Sequence, residues 1–93
     1  MGQYFVAIEP NAKKDLQAHH KSGNQASIKK ITKILIDLIN SPYVGEGKPE
    51  ELKYELSGFW SRAINRKDRI IYKVSEEAKT VIIISACGHY FDK

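Results

Sequence analysis

Two periodicities divide the chain. Ile28, Ile31, Leu35 and Leu38, reinforced by Ile34 and Ile39, recur at three- and four-residue spacing, the signature of one apolar helix face. Lys29, Lys30, Lys33 and Asp37 fall on the other side and read as a solvated surface. Asn24, in the turn Ser22-Gly23-Asn24, can cap this helix, and Asn40-Ser41-Pro42 stops it. A shorter helix is predicted before it, from Asn11 to about His20, with Ala12, Leu16 and His19 or His20 on one side and Pro10 in its first turn. Tyr4, Phe5, Val6, Ala7 and Ile8 alternate loosely and read as an opening strand that Glu9-Pro10 ends.

Beyond Gly58 the composition becomes that of strands. Segments 59–64, 69–74 and 80–87 have strand character, with polar turns at 65–68 and 75–79, short enough to favour antiparallel neighbours. Residues 43–57 carry three breaks, Gly45, Gly47 and Pro49. The predicted order is strand, two helices, then a three-stranded meander: an α+β domain with the helix pair on one face of an antiparallel sheet that the first strand joins. Alternation along Arg69–Val74 turns Ile70, Tyr72 and Val74 towards the helices, and leaves Arg69 and Lys73 on the open face beside Ile71.

Composition narrows the class. A chain of 93 residues has room for one domain, and 42% hydrophobic with 28% charged residues argues for a folded rather than a disordered chain. The single cysteine, Cys87, excludes an internal disulfide, fits a reducing compartment and reads as a small buried residue of the last strand. No apolar run reaches the length of a membrane span and no secretory leader is visible, so the expected location is cytoplasmic. A formal charge of +4 and a pI near 9.2 favour a polyanionic partner, either nucleic acid or an acidic protein.

Groups able to do chemistry are few. There is no local signature of a serine or cysteine nucleophile and no glycine-rich phosphate loop. The neighbours His19 and His20 diverge by about 100° around a helix and are poorly placed to share a metal, so neither a metal nor another cofactor is expected. His89 differs: it follows Gly88 at the end of the last strand, beside Tyr90, where a side chain can emerge at a sheet rim. Phe59, Trp60 and Tyr72 read as core or dimer-interface residues rather than as a stacking platform for RNA.

Several runs together carry a resemblance. Gly47-Lys48-Pro49-Glu50, Leu52-Lys53, Leu56-Ser57-Gly58-Phe59-Trp60-Ser61-Arg62, Ile64-Asn65, Arg69-Ile70-Ile71-Tyr72 and His89-Tyr90 resemble the YoeB branch of the RelE/ParE toxin superfamily over essentially the whole chain. The resemblance implies a microbial ribonuclease-like fold, cleavage of messenger RNA in the ribosomal decoding site, neutralisation by a YefM-like antitoxin, and room for a homodimer. It gives Glu50 the role of general base, Arg69 that of phosphate stabiliser, His89 that of general acid, and Tyr90 that of a companion catalytic residue. It also puts Lys53, Lys48 and Arg62 at the RNA. Such a set suits a metal-independent endoribonuclease, because RNA supplies its own nucleophile, the 2′-hydroxyl. The enzyme then needs a base for that proton, an acid for the leaving 5′-oxygen and cations for the charge growing on phosphorus.

The chain departs from the family pattern at three places. Ala63 stands where a second arginine is usual, only Gly88 separates Cys87 from His89, and Phe91-Asp92-Lys93 follow His89-Tyr90. Two further readings therefore stand beside the ribosome-dependent nuclease. One is a catalytically weak or inactive binding module that represses transcription with its antitoxin; the other is a ribonuclease acting on free RNA.

Overall fold

The computed structural model describes residues 3–88. Strand β1 (Phe5–Ile8) leads into helix α1 (Pro10–Ser22) and helix α2 (Gln25–Asn40). Strands β2 (Glu50–Glu51), β3 (Phe59–Ala63), β4 (Arg69–Ser75) and β5 (Thr80–Ser85) complete one five-stranded sheet in the order β1-β5-β4-β3-β2. The pairs β2–β3, β3–β4 and β4–β5 are antiparallel, as the short turns predict. The expected antiparallel sheet with two helices on one face is present, and at one margin the joining strand β1 runs parallel to β5. The helices and the meander between β1 and β5 supply the long connection that a parallel pair requires. Among the described residues, no helix is long and apolar enough to cross a membrane.

Local signals set the helix ends. Pro10 occupies the first turn of α1, where its missing N–H costs nothing, and Gly23 closes the helix in the left-handed conformation at φ 73°. The Asn24 side chain accepts from the Ser27 amide at 3.1 Å, capping α2. Ile31, Ile34 and Leu38 of α2 press onto Ile70, Tyr72, Val81 and Ile83 of the sheet, together with Ala12 of α1. Each such aliphatic side chain contributes roughly 1.5–3 kcal/mol by leaving water. The predicted stripe is thus rotated: its centre is 31, 34 and 38, while Ile28 and Leu35 line a crevice against Leu16 and His20 of α1 and Ile39 stays exposed.

Strand parity holds on β4. Ile70, Tyr72 and Val74 face the helices; Ile71 joins Leu52, Leu56, Phe59 and Ile84 in a smaller cluster on the other face. That cluster covers part of the face expected to be open. Cys87 is corrected: β5 stops at Ser85, Ala86 is the buried residue and Cys87 is exposed. Tyr72 is core, and Trp60 packs at its margin in tilted contact with Tyr43.

Candidate active site

Two arginines, seven residues apart, end up in opposite surroundings. Arg62 lies on β3 between Trp60 and Ile64, on the helix side of the sheet, and is 0% exposed. All of its N–H donors have partners. Nε donates to Tyr72 Oη at 3.1 Å; Nη1 donates to Asp37 Oδ2 at 2.5 Å and to the Glu46 carbonyl at 3.2 Å. Nη2 donates to the carbonyls of Ser41 at 2.6 Å and Val44 at 3.1 Å. Tyr72 Oη donates in turn to the Pro42 carbonyl at 2.7 Å, and burial pushes its phenol pKa up. The expectation that Arg62 binds RNA is therefore corrected: its guanidinium is spent inside, holding residues 41–46 against α2. Asp37, expected on a solvated helix surface, keeps part of that exposure but turns its carboxylate to the buried guanidinium.

The same network shapes the loop that leads to the site. Gly45 has φ 126°, and a side chain there would put its first carbon 1.8 Å from Asp37 Oδ2. Gly47 passes so close to β3 that its carbonyl accepts from the Ala63 amide at 2.7 Å, and an added Cβ would sit 3.0 Å from the Ala63 carbonyl oxygen. The chain then places Lys48, at φ 52° and exposed, just before β2. Punctuation by glycine in this segment was legible; the two-residue strand that it delivers was not.

On β2, Glu50 pairs with Ser61, and on β3, Ala63 pairs with Arg69. Parity places Glu50, Ser61, Ala63 and Arg69 together on the face away from the helices. Arg69 Nη1 donates to Ser61 Oγ at 2.9 Å and lies 3.9 Å from Glu50 Oε1. Glu50 is 65% exposed and Arg69 26%, so the carboxylate reaches solvent while the guanidinium is braced from below. Arg69 and Lys48 also line a groove of about 760 Å³ with Lys30, Ala63, Asn65 and Arg66; Glu46 and Asp37 temper its charge, and Lys30 pairs with Glu46 at 3.2 Å. Lys53 is exposed beyond β2, ahead of the turn at 54–56. The structure thus brings Glu50 and Arg69 together, with Lys48 in the groove that Arg69 lines and Lys53 exposed two residues beyond β2. His89 and Tyr90 lie outside the described residues.

Ala63 sits directly across the ladder from Arg69, so the position that departs from the family pattern belongs to this same patch. Sequence reasoning passed over Ser61, which orients Arg69. Its signal was available in the alternation that pairs it with the open-face residues.

Residues 8–90 match the family described as the YoeB-like toxin of bacterial type II toxin–antitoxin systems. The chain is 42% identical to the toxin YoeB of Escherichia coli O6:H1 over 64 residues, covering 69% of this chain and 73% of that protein. It is 36% identical to toxin YoeB of Streptomyces coelicolor over 77% of this chain and 83% of the relative. Among solved structures, a YoeB/ParE toxin from Agrobacterium tumefaciens superposes with a TM-score of 0.82 at 27% identity, covering 92% of this chain and 99% of the other. The toxin in a YoeB–YefM complex from Staphylococcus aureus gives 0.76 at 32% identity, over 94% and 98% of the two chains. With the motif residues, the two-helix-on-sheet fold and these relatives in agreement, the chain belongs to the YoeB-like toxins of bacterial type II toxin–antitoxin systems.

Proposed function

We propose that this toxin is a metal-independent endoribonuclease that cuts messenger RNA in the ribosomal decoding site. The observation that carries the reading is the solvent-facing Glu50 carboxylate 3.9 Å from the guanidinium of Arg69, which Ser61 braces on the open sheet face. Glu50 takes the proton of the ribose 2′-hydroxyl, and the 2′-oxygen attacks the adjacent phosphorus. Arg69 stabilises the charge that builds on the phosphate oxygens. The bond from phosphorus to the 5′-oxygen breaks, and His89 gives that oxygen its proton. Tyr90 accompanies His89, while Lys48 and Lys53 hold neighbouring phosphates. The products are a 2′,3′-cyclic phosphate and a 5′-hydroxyl.

A ribosome programmed with a defined message tests the reading. Replacing the 2′-hydroxyl at the cut site by hydrogen abolishes cleavage and leaves binding nearly unchanged. Glu50→Gln and His89→Gln each lower the single-turnover rate by roughly 10²-fold or more with little effect on ribosome affinity. Products with a 5′-phosphate, or full activity in both variants, overturn the mechanism. Cleavage of the same message without ribosomes, at an equal rate, would favour the free-RNA enzyme.

The partner follows from relatives whose structures hold it. YoeB–YefM complexes and a YoeB dimer are known from Staphylococcus aureus, and the +4 charge of this chain suits an acidic antitoxin, with a homodimer as the free form. One observation favours the second reading, a repressor module with weak chemistry: Ala63 leaves the position beside Arg69 without a cation. Absence of cleavage by the unmodified chain, with recovery in Ala63→Arg, would establish an attenuated enzyme.

A further inference from the structure

Strand β5 ends at Ser85, and the three residues that follow are held in an unusual way. The ladder with β1 extends only to Ile8 opposite Ile83, and the ladder with β4 ends at Ile71 opposite Ser85. Past that point the main chain needs other partners. Side chains from distant elements provide them. Asp15 Oδ2 of α1 accepts from the Ala86 amide at 2.9 Å. His19, one turn further along α1, donates from Nε2 to the Ala86 carbonyl at 2.7 Å, since that carbonyl can only accept. Asp68, in the β3–β4 turn, accepts from the Gly88 amide through Oδ1 at 2.8 Å. Its Oδ2 lies 4.0 Å from His19 Nε2, and both side chains are only 11% exposed.

The fourth bond gives this arrangement its direction. The amide of Arg69 donates to the Gly88 carbonyl at 3.1 Å. That carbonyl belongs to the planar peptide unit that also contains the nitrogen of residue 89. Strand β4 therefore holds the Gly88 carbonyl at the residue that carries the Arg69 guanidinium. Gly88 has φ 68°, a conformation that glycine adopts without the cost a side chain would impose.

We propose that Asp15, His19 and Asp68 are positioning residues for the general acid: they latch residues 86–88 beside the start of β4, and catalysis by His89, the next residue, depends on that latch. The proposal rests on the reading above, in which His89 is that acid. A strand end on a protein surface can be solvated by water. Here two carboxylates and an imidazole are partly withdrawn from water to bind the main chain of one short segment, which is costly unless the bonds are made. The segment they bind is the one joined directly to His89. General acid catalysis requires hydrogen-bond reach, and misplacement by about 1 Å can cost a hundredfold in rate.

The test uses the full-length toxin in the ribosome-bound cleavage assay, with circular dichroism and a melting temperature as the check on folding. Asp68→Ala is expected to lower the single-turnover rate by about tenfold or more with ribosome affinity unchanged. Asp68→Asn keeps an acceptor for the Gly88 amide and recovers most of the loss. His19→Gln, which keeps an N–H donor, outperforms His19→Leu in the same way. The decisive readout is a double-mutant comparison. In a His89→Gln background, Asp68→Ala has no further effect, because the acid it places is already gone; in a Glu50→Gln background it still lowers the rate. A folded Asp68→Ala with an unchanged rate, or an equal fall in both backgrounds, overturns the latch while leaving the nuclease reading intact. If His89→Gln itself cleaves normally, the assignment of His89 falls, and the latch with it. Should Asp68→Ala not fold, the His19→Gln and His19→Leu pair carries the same comparison.

Discussion

The two faces of this sheet treat the same residue type in opposite ways. On the helix side, Arg62 is sealed, and every donor has an acceptor within the protein. On the open side, Arg69 is braced by one serine hydroxyl and keeps the rest of its hydrogen-bonding capacity close to solvent and to an exposed carboxylate. A guanidinium is costly to bury, and Arg62 is tolerated because Asp37 and three carbonyls replace its water. The lesson concerns division of labour. The satisfied arginine fixes the loop that precedes β2, and the loosely engaged one keeps donors for a group arriving from solvent, in the proposed reading a phosphate.

That contrast can be broken from its strongest side first. Arg62→Met should destabilise the fold by about 3–5 kcal/mol, because it strands the Asp37 carboxylate and the loop carbonyls. Urea unfolding measures this, and a loss no larger than that of a surface substitution would show that the network is dispensable. Next, Gly45→Ala should cost more than about 1 kcal/mol, since it combines a disfavoured φ with overlap on the Asp37 carboxylate. A thermal melt showing no loss would mean that the loop can move aside without disturbing Arg62. Arg69→Ala should change stability by less than about 1 kcal/mol, in line with a half-exposed ion pair, while it slows cleavage. A stability loss as large as that of Arg62→Met would erase the distinction between the faces.

The smallest effect lies away from both arginines. Glu76, exposed at the start of the β4–β5 turn, accepts from the hydroxyls of Tyr43 and Tyr4 and from Lys79 Nζ. The Tyr43 hydroxyl, followed by Lys79 and Tyr4, holds the Glu76 carboxyl down at about 2 against its ordinary 4.5. Burial, followed by the bond to Glu76, pushes Tyr43 up from 10.0 to about 12. A depressed acid stabilises above its unfolded pKa and loses that contribution as pH falls through the folded value; a raised phenol loses its contribution as pH rises from the unfolded to the folded value. The Tm difference between the unmodified protein and Glu76→Gln should therefore stay level through neutral pH. It should narrow between pH 4.5 and 2 and again between pH 10 and 12. A flat difference across either window would remove that side chain from the cluster.

How much of this was legible follows from the range of each signal. The helices and the three long strands were written in short periodicities, and so was the side of the sheet on which Arg69 lies. The motif runs pointed to Glu50 and Arg69 as a pair. The burial of Arg62 was available in the same alternation, because Trp60 and Ile64 flank it on the inward side. The family resemblance pointed outward instead, and its partner Asp37 was hidden on a helix face that otherwise carries lysines. Strand β2 is two exposed glutamates, which have no pattern of their own; it exists because β3 offers an edge. Cys87 was misread because alternation does not announce where pairing stops.

The parallel pairing of β1 with β5 also bears on the order of events during synthesis. Phe5 through Ile8 find their ladder partners in Thr80 through Ile83, so that margin of the sheet stays open until those distant residues have been made. The helices and the β3–β4 hairpin can form earlier from local contacts, but the Gly88 carbonyl that meets the Arg69 amide is polymerised later still.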